Sequence, residues 1–338
     1  MEDEVMIPEK YRYISLVVLL IAACGEPDAP FNSVERFRML GIQAEPPALA
    51  EGELAELRAL FYAPEGSEVS YKWSWCPLAT SPKDGTECLV SEEDLADLVR
   101  AYLLETAGAD AAAALPDVLP SFDLGEGPTA RFVHAVPADL LRQICTQLIS
   151  DDGIPSFTGI PSCDEKLDVV IRLELTAGGE TLYGTKKLPL YIDGERADNE
   201  NPVIDGLAVT EKETGKAVPE VDGVLSLKEK THYRLLAELP PDVADTFLPL
   251  PTEERPNPIA VRESLFITWY VTGGETEFVR TTFFDGEIPL SELSENFWWI
   301  PAQERLPEDD LYLYLVIQDE RGGIGWLVRQ LTVKERRP

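Results

Sequence analysis

The sequence predicts a mainly β protein: two β-sandwiches in tandem, the first carrying an α-helical insertion and preceded by a lipoprotein signal peptide. Three observations carry this. Apolar residues recur at every second position in several runs, Gly-Gly pairs break two of the longest runs, and the same order of strand types occurs twice along 338 residues.

In the first half, ELAELRALFYAP places Ala55, Leu57, Ala59 and Phe61 on one face, and SYKWSWC places Tyr71, Trp73 and Trp75 on one face against Lys72 and Ser74. The clearest strand is KLDVVIRLELTAGG. Leu167, Val169, Ile171, Leu173 and Leu175 point one way and Asp168, Arg172 and Glu174 the other, the alternation of a half-buried strand. Gly178-Gly179 then turns the chain into LYGTKKLPLYI as a hairpin.

Between these strands the period changes. SEEDLADLVRAYLLETAG opens with Ser91 and Asp94 in capping-box spacing, carries Leu95, Leu98, Val99, Tyr102 and Leu103 at helical spacing, and stops at Gly108. PADLLRQICTQLI opens with Pro137 and turns Leu140, Leu141, Ile144 and Leu148 to one side. A helical insertion is therefore expected over about 89–162, inside a first sandwich spanning 34–193. A linker at 194–201 leads to a second sandwich at 202–335. Both halves contain a Trp-bearing strand (Trp73 or Trp269), a long alternating strand (from Leu167 or Leu311), a Gly-Gly hairpin (Gly178-Gly179 or Gly322-Gly323) and a closing strand. Strands of this kind around an inward tryptophan match the immunoglobulin-like pattern.

The N-terminal stretch ISLVVLLIAACGEPDAP decides the compartment. Its run from Ile14 to Ala23 is ten residues, short of the roughly 20 that cross a bilayer. It fits a secretory hydrophobic region with Lys10 and Arg12 on its basic side. Ile21-Ala22-Ala23-Cys24-Gly25 resembles the lipobox of bacterial lipoproteins, in which the cysteine receives fatty acyl chains, palmitate among them, and becomes the new N-terminus. The alternatives are an ordinary signal peptide or a core segment. On the lipobox reading, residues 1–23 are a signal peptide, Cys24 is the lipidation site and 24–33 form a tether. Glu2, Asp3, Glu4 and Glu9 outnumber the two bases before the run, and translation from Met6 would remove three of these four acids. Gly25 and Glu26 after the cysteine point to the outer membrane, with the periplasmic or surface face left open.

The chain carries 61 acidic and 29 basic residues, a net charge of −32. Without residues 1–23 the net charge is −30. Such a surface repels phosphate backbones, which excludes nucleic acid as an expected partner. It fits solubility outside the cell and weak attraction for divalent cations, or a solvated surface with no specific ligand. With Cys24 lipidated, Cys76, Cys88, Cys145 and Cys163 remain. In an exported protein four cysteines read as two disulfides with three connectivities. Cys76 with Cys88 and Cys145 with Cys163 is preferred because each closes a short loop containing Pro and Gly; Cys76 with Cys163 is the rival.

Catalytic signatures are scarce. His134 precedes a helix and His232 opens a strand, neither beside a GxSxG, and both read as structural or surface residues. No HExxH or CxxC occurs. GETLYGTK, from Gly179 to Lys186, lacks the order of a phosphate loop and sits on a hairpin. Carboxylate pairs locate nothing in so acidic a chain. Two binding signals remain. Asp198, Asn199, Glu200 and Asn201 resemble the calcium-binding linker of cadherins, with Asp319 and Glu320 able to add oxygens; the alternative is a linker whose side chains cap local turns. In Phe297-Trp298-Trp299-Ile300 both faces are apolar, so Trp298 or Trp299 could stack on sugars or anchor a partner, or the second face is buried, for instance by LPLPTEERPNP.

The strands YKWSWCP and ITWYVTGG, the NENPVIDGL restart and the VIQDERGGIGW hairpin, taken with the lipobox, resemble uncharacterised lipoproteins with tandem immunoglobulin-like domains found in myxobacteria. The resemblance covers nearly the whole chain after Cys24. It implies architecture and compartment, and carries no activity or site residues. The expected function is that of a non-enzymatic envelope lipoprotein, a binding, adhesion or structural scaffold module held to a membrane through Cys24 and facing an unknown envelope protein or glycan, with no cofactor required. The alternatives are a glycan-binding or glycan-processing envelope protein and a Ca2+-stabilised adhesin.

Overall fold

The computed structural model describes residues 30–77, 88, 90–106, 108–109, 121–134, 137, 139–140, 142, 166–191, 199–249, 257–307 and 310–334. The first half contains β1 (Arg38–Glu45), β2 (Leu49–Ala50), β3 (Leu54–Tyr62), β4 (Val69–Cys76), helix α1 (Glu92–Thr106), β5 (Asp123–Gly125), β6 (Thr129–Val133), β7 (Lys166–Ala177) and β8 (Glu180–Tyr191). One sheet runs β1-β3-β6 and the other β2-β8-β7-β4-β5. The second half contains β9 (Gly206–Glu211), β10 (Glu220–Val221), β11 (Val224–Lys228), β12 (Thr231–Glu238), β13 (Thr246–Phe247), β14 (Val261–Arg262), β15 (Leu265–Val271), β16 (Glu275–Thr276), β17 (Arg280–Phe283), helix α2 (Leu290–Ser294), β18 (Glu295–Ile300), β19 (Leu311–Asp319) and β20 (Ile324–Lys334). Its sheets run β16-β18-β12-β9 and β10-β11-β20-β19-β15-β17, beside a β13-β14 ribbon.

The two halves repeat one topology. The opening strand (β1 or β9) pairs with β3 or β12 in the first sheet, and a short strand (β2 or β11) crosses over to pair parallel with the closing strand β8 or β20. The tryptophan strand (β4 or β15) pairs antiparallel with the long strand (β7 or β19), which returns into the closing strand. This division of strands is that of an immunoglobulin-like sandwich. Each half has its own core. Trp73 and Trp269 lie fully buried at equivalent places, and their indole N–H groups donate to the Gly127 carbonyl at 2.9 Å and Thr281 Oγ1 at 2.9 Å. The alternation of β7 is realised without a break, its five inward residues all buried, each stabilising by about 1.5–3 kcal/mol through loss of water contact. Gly178 and Gly179 adopt φ of 57° and 84° in the two-residue β7-β8 turn, which needs left-handed backbone at both positions.

Helix α1 starts where the capping box places it. The Asp94 N–H donates to Ser91 Oγ at 3.0 Å, and the Gly108 N–H closes the C-terminus on the Leu103 carbonyl. Leu95 and Val99 bury against the first core. The expected single insertion over 89–162 is corrected: Asp123–Val133 within it forms β5 and β6, strands of the sandwich itself. In TARFV only Ala130 and Phe132 face inward, too brief a pattern to stand out between two helical ones. The second predicted helix lies mostly outside the described residues, although Leu140 reaches the first core. Cys76, at the end of β4, is disulfide-bonded to Cys88, which is the first of the two expected bonds and replaces the rival Cys76 with Cys163. Cys145 and Cys163 lie outside the described residues.

A third apolar cluster joins the halves. Leu40, Leu60 and Tyr62 on the outward face of β1 and β3 pack with Tyr270, Tyr314, Val316 and Ile324 of the second half. Polar bonds surround it. Gln43 Nε2 donates to the Ile324 carbonyl at 2.6 Å, Asn201 Nδ2 donates to the Ala44 carbonyl at 2.8 Å, and Asn201 Oδ1 accepts from the Ile324 N–H at 2.9 Å. A Cβ on Gly325 would overlap the Pro202 carbonyl, so this position must be glycine for the linker to lie against β20. Before entering the first half, the chain also crosses the second as a strap. The Val34 N–H donates to the Val271 carbonyl, the Val271 N–H to the Asn32 carbonyl, and Asn32 Nδ2 to the Trp269 carbonyl at 2.8 Å.

Asn201→Ala leaves the buried Ile324 N–H and Ala44 carbonyl without these partners. It is expected to lower stability by about 2–4 kcal/mol and to split a shared calorimetric transition toward two, whereas Asn296→Ala, inside the second half, should destabilise without uncoupling.

Candidate functional site

The chemistry-bearing side chains gather where the β19-β20 turn meets β8. Lys186 occupies the buried parity of Leu188 and Leu190 in β8. Its Nζ crosses to donate to the Gly322 carbonyl at 2.5 Å. Burial pushes its ammonium down to about 8, with the Asp319 charge working in the opposite direction. Asp319 is itself buried. Its Oδ1 accepts the N–H groups of Arg321 and Gly323 at 2.8 and 2.7 Å, while Oδ2 has no hydrogen-bond partner among the described residues. Burial raises its carboxyl above the usual range.

The turn is also braced from its own half. Arg321 Nε donates to Glu263 Oε2 at 3.0 Å and Arg321 Nη2 lies 3.3 Å from Asp245 Oδ2, while Glu263 Oε1 accepts the Asp245 N–H. Burial lifts the Glu263 carboxyl to about 7. A cleft of about 450 Å3 opens here, lined by Met39, Ile42, Gly184, Lys186, Asp319 and Gly323 among others. The arrangement is chemically a clamp: one charged side chain from the first half enters a turn held rigid by an ion-pair network of the second. Sequence reading missed Lys186, although a lysine at the parity of buried leucines is the signal that finds it.

The linker residues take part in the same region. Asn201 is a corrected expectation: its amide serves the junction, bonding Ala44, Glu45 and Ile324, and is not left open toward a cation. The Glu200 carbonyl and Asp319 Oδ2 both border the place where a Cβ on Gly323 would stand. Asn199 is buried, with neither amide atom partnered among the described residues. Glu320 Oε1 accepts the Ser264 N–H at 3.2 Å. Asp198 lies outside the described residues, as does Cys24. Among the described residues no group of three or more His, Cys, Asp or Glu is placed to hold a metal ion.

The aromatic pair divides. Trp298 was expected as a possible surface aromatic and is instead a core residue, 1% exposed, with its indole N–H on the Gly273 carbonyl at 3.2 Å. The reason is register: β18 pairs with β12 so that Asn296, Trp298 and Ile300 face inward. Trp299 and Phe297 lie on the outer face, half-covered by the chain's own side chains. His232 sits against Trp299 with ring centroids 4.4 Å apart, and the Lys212 ammonium lies 4.0 Å from the Phe297 ring centre. His134 is buried, and burial lowers its imidazole while Glu51 and Glu53 act the other way. Most of LPLPTEERPNP lies outside the described residues.

Two expectations follow. Below about pH 8 Lys186 is protonated both folded and unfolded, so the full cost of burying its charge is present; between about 8 and 10.5 only the unfolded chain keeps the proton. Stability therefore gains up to about 3 kcal/mol across that window relative to Lys186→Met, measured by urea unfolding at each pH. By the same assay Trp298→Ala should cost about 3–5 kcal/mol, and Trp299→Ala within about 1 kcal/mol.

No family model matches the chain. No curated protein matches it either. Among solved structures the chain is similar, over 89% of its length and 71% of the other's, to the three N-terminal domains of the highly immunogenic outer capsid protein of bacteriophage RB49, at 8% identity and a TM-score of 0.20. It is similar over 87% of its length and 95% of the other's to fibronectin(III)-like modules of CbhA from Clostridium thermocellum, at 8% identity and a TM-score of 0.19. An I-band fragment of titin matches at 9% identity, 90% and 67% coverage and a TM-score of 0.20. Scores this low superimpose no common arrangement, so the assignment of this chain to an immunoglobulin-like architecture rests on its own strand order.

Proposed function

We propose that this chain is a non-enzymatic scaffold or binding module of the bacterial cell envelope, made of two immunoglobulin-like domains and anchored to a membrane through lipid on Cys24. The observation that carries the scaffold reading is the junction. Its apolar cluster, the Asn201 bonds and the Lys186 clamp hold the two sandwiches against each other, and a scaffold needs its outer faces presented at a set angle. Coupled domains present a broad surface without the ordering cost that a loose linker adds on binding.

The anchor reading rests on the lipobox-like Ile21-Ala22-Ala23-Cys24-Gly25. Acyl chains attach a protein with about 0.8 kcal/mol per buried CH2. Eight residues beyond Cys24, Asn32 of the strap is bonded to the second sandwich. At no more than about 3.6 Å per residue, an anchored chain would stand close to the bilayer, with its junction side near the surface.

Fractionation of cells producing the intact protein tests this. The wild type is expected with the membranes, released by detergent and not by salt, and Cys24→Ala is expected in the soluble exported fraction. Retention of Cys24→Ala in the membrane fraction at wild-type level would refute lipid anchoring at this residue.

A further inference from the structure

In a chain with 61 acidic and 29 basic residues, of which eleven are lysines, four lysines line one groove. Lys216, Lys228, Lys230 and Lys334 surround a concavity of about 800 Å3 between the β9-β10 connection and the β11-β20 pair. We infer that this groove is a binding site for a phosphorylated sugar.

One part of the charge pattern is costly without a ligand. Lys228 and Lys334 are direct neighbours in the parallel β11-β20 register, and like charges placed opposite one another destabilise a sheet. Lys230 brings its ammonium to the same groove from a left-handed backbone, φ 53°, which is uncommon for a residue with a Cβ. Glu211 offsets part of the charge: its Oε1 accepts from Lys228 Nζ at 2.7 Å and its Oε2 from Thr214 Oγ1 at 2.9 Å. Glu229 Oε1 lies 3.6 Å from Lys230 Nζ, so with Glu213 three carboxylates stand against the four ammonium groups, leaving a net charge of +1 in a molecule of net charge −32.

A net positive groove in so acidic a molecule suits a phosphate monoester, which carries about −1.5 to −2 near neutral pH, and lysines bind phosphate as point charges. The groove is far larger than one phosphate and falls within the usual range of small-molecule sites, about 300–1,000 Å3. Its remaining walls suit a sugar. Ala217, Val218 and Pro219 offer apolar contact for ring C–H groups, and the rim carboxylates accept hydrogen bonds from hydroxyls. Such a sugar phosphate could be soluble or carried on a lipid; the chemistry recognised is the same.

Titration calorimetry of the full chain with glucose 6-phosphate tests the assignment, with glucose as the uncharged control. Glucose 6-phosphate is expected to bind saturably at millimolar concentration or below, and glucose not to bind. Reversing two exposed charges, Lys216→Glu with Lys334→Glu, should weaken binding about tenfold or more at an unchanged melting temperature, whereas Lys72→Glu in the first half should leave it intact. Vesicles bearing phosphatidylinositol 4-phosphate, presented to the Cys24→Ala protein, separate the sources: binding competed by free glucose 6-phosphate assigns a lipid-borne ligand, and binding of the soluble sugar alone assigns a free one. Absence of saturable binding in both arms overturns the inference, as does binding that survives the double reversal or falls equally in Lys72→Glu. None of these outcomes depends on how the chain is anchored.

Discussion

The structure depends on what covers the outward face of β1 and β3. A strand in a sandwich has one face against its partner sheet and another toward water, and in β3 the alternation holds only as far as Arg58. Beyond it Ala59 and Phe61 still pack on the first core, while Leu60 and Tyr62 are buried on the opposite side by Tyr314, Val316 and Ile324 of the other half. Two-sided burial at this strand end removes the option of independent domains, because separation would expose apolar side chains on both surfaces at about 25 cal/mol per Å2. The polar bonds then set the angle. Asn201 and Gln43 reach the same residue, Ile324, from the linker and from β1, so the apolar contact can form in one register only.

Much of the sandwich was legible from alternation because a half-buried strand writes its inward face into every second residue. The five inward positions of β7, the tryptophans of β4 and β15, the capped start of α1 and the loop closed by Cys76 and Cys88 are all local patterns, each decided within about a dozen residues. The features that were not legible are relational. Alternation identifies two faces of Phe297-Trp298-Trp299-Ile300 without saying which one the partner sheet takes, and pairing with β12 turned Trp298 inward. Asn201 reads as a turn-former in a linker, and only its neighbours 157 and 123 positions away give it a role. The strands of Asp123–Val133 are short because they lie toward the margins of their sheets, and short strands leave little period to read.

Electrostatics divides the basic residues into two uses. Lys186 and Arg321 are spent inside the structure: Lys186 enters the β19-β20 turn, and Arg321 ties that turn to Glu263. Buried charges of this kind add specificity of docking more readily than net stability, since desolvation offsets most of the attraction. The lysines of the β9-β11 groove belong to the other use, concentrated on the solvent side. Because the rest of the molecule is strongly negative, these positive groups are local exceptions whose field is confined to about a Debye length, ~8 Å at physiological salt.

The strap formed by Asn32–Val34 has a mechanical meaning. It runs parallel to the end of β15 and is held by the bridge between Ser33 and Val271, by backbone hydrogen bonds on either side, and by Asn32 bonded to Trp269 and Thr276. Tension entering from the N-terminal side of residue 30 therefore acts along the strap and loads these bonds together in shear. The second sandwich receives the pull first, although it comes later in the sequence, and the first sandwich lies off the load path until the strap tears free.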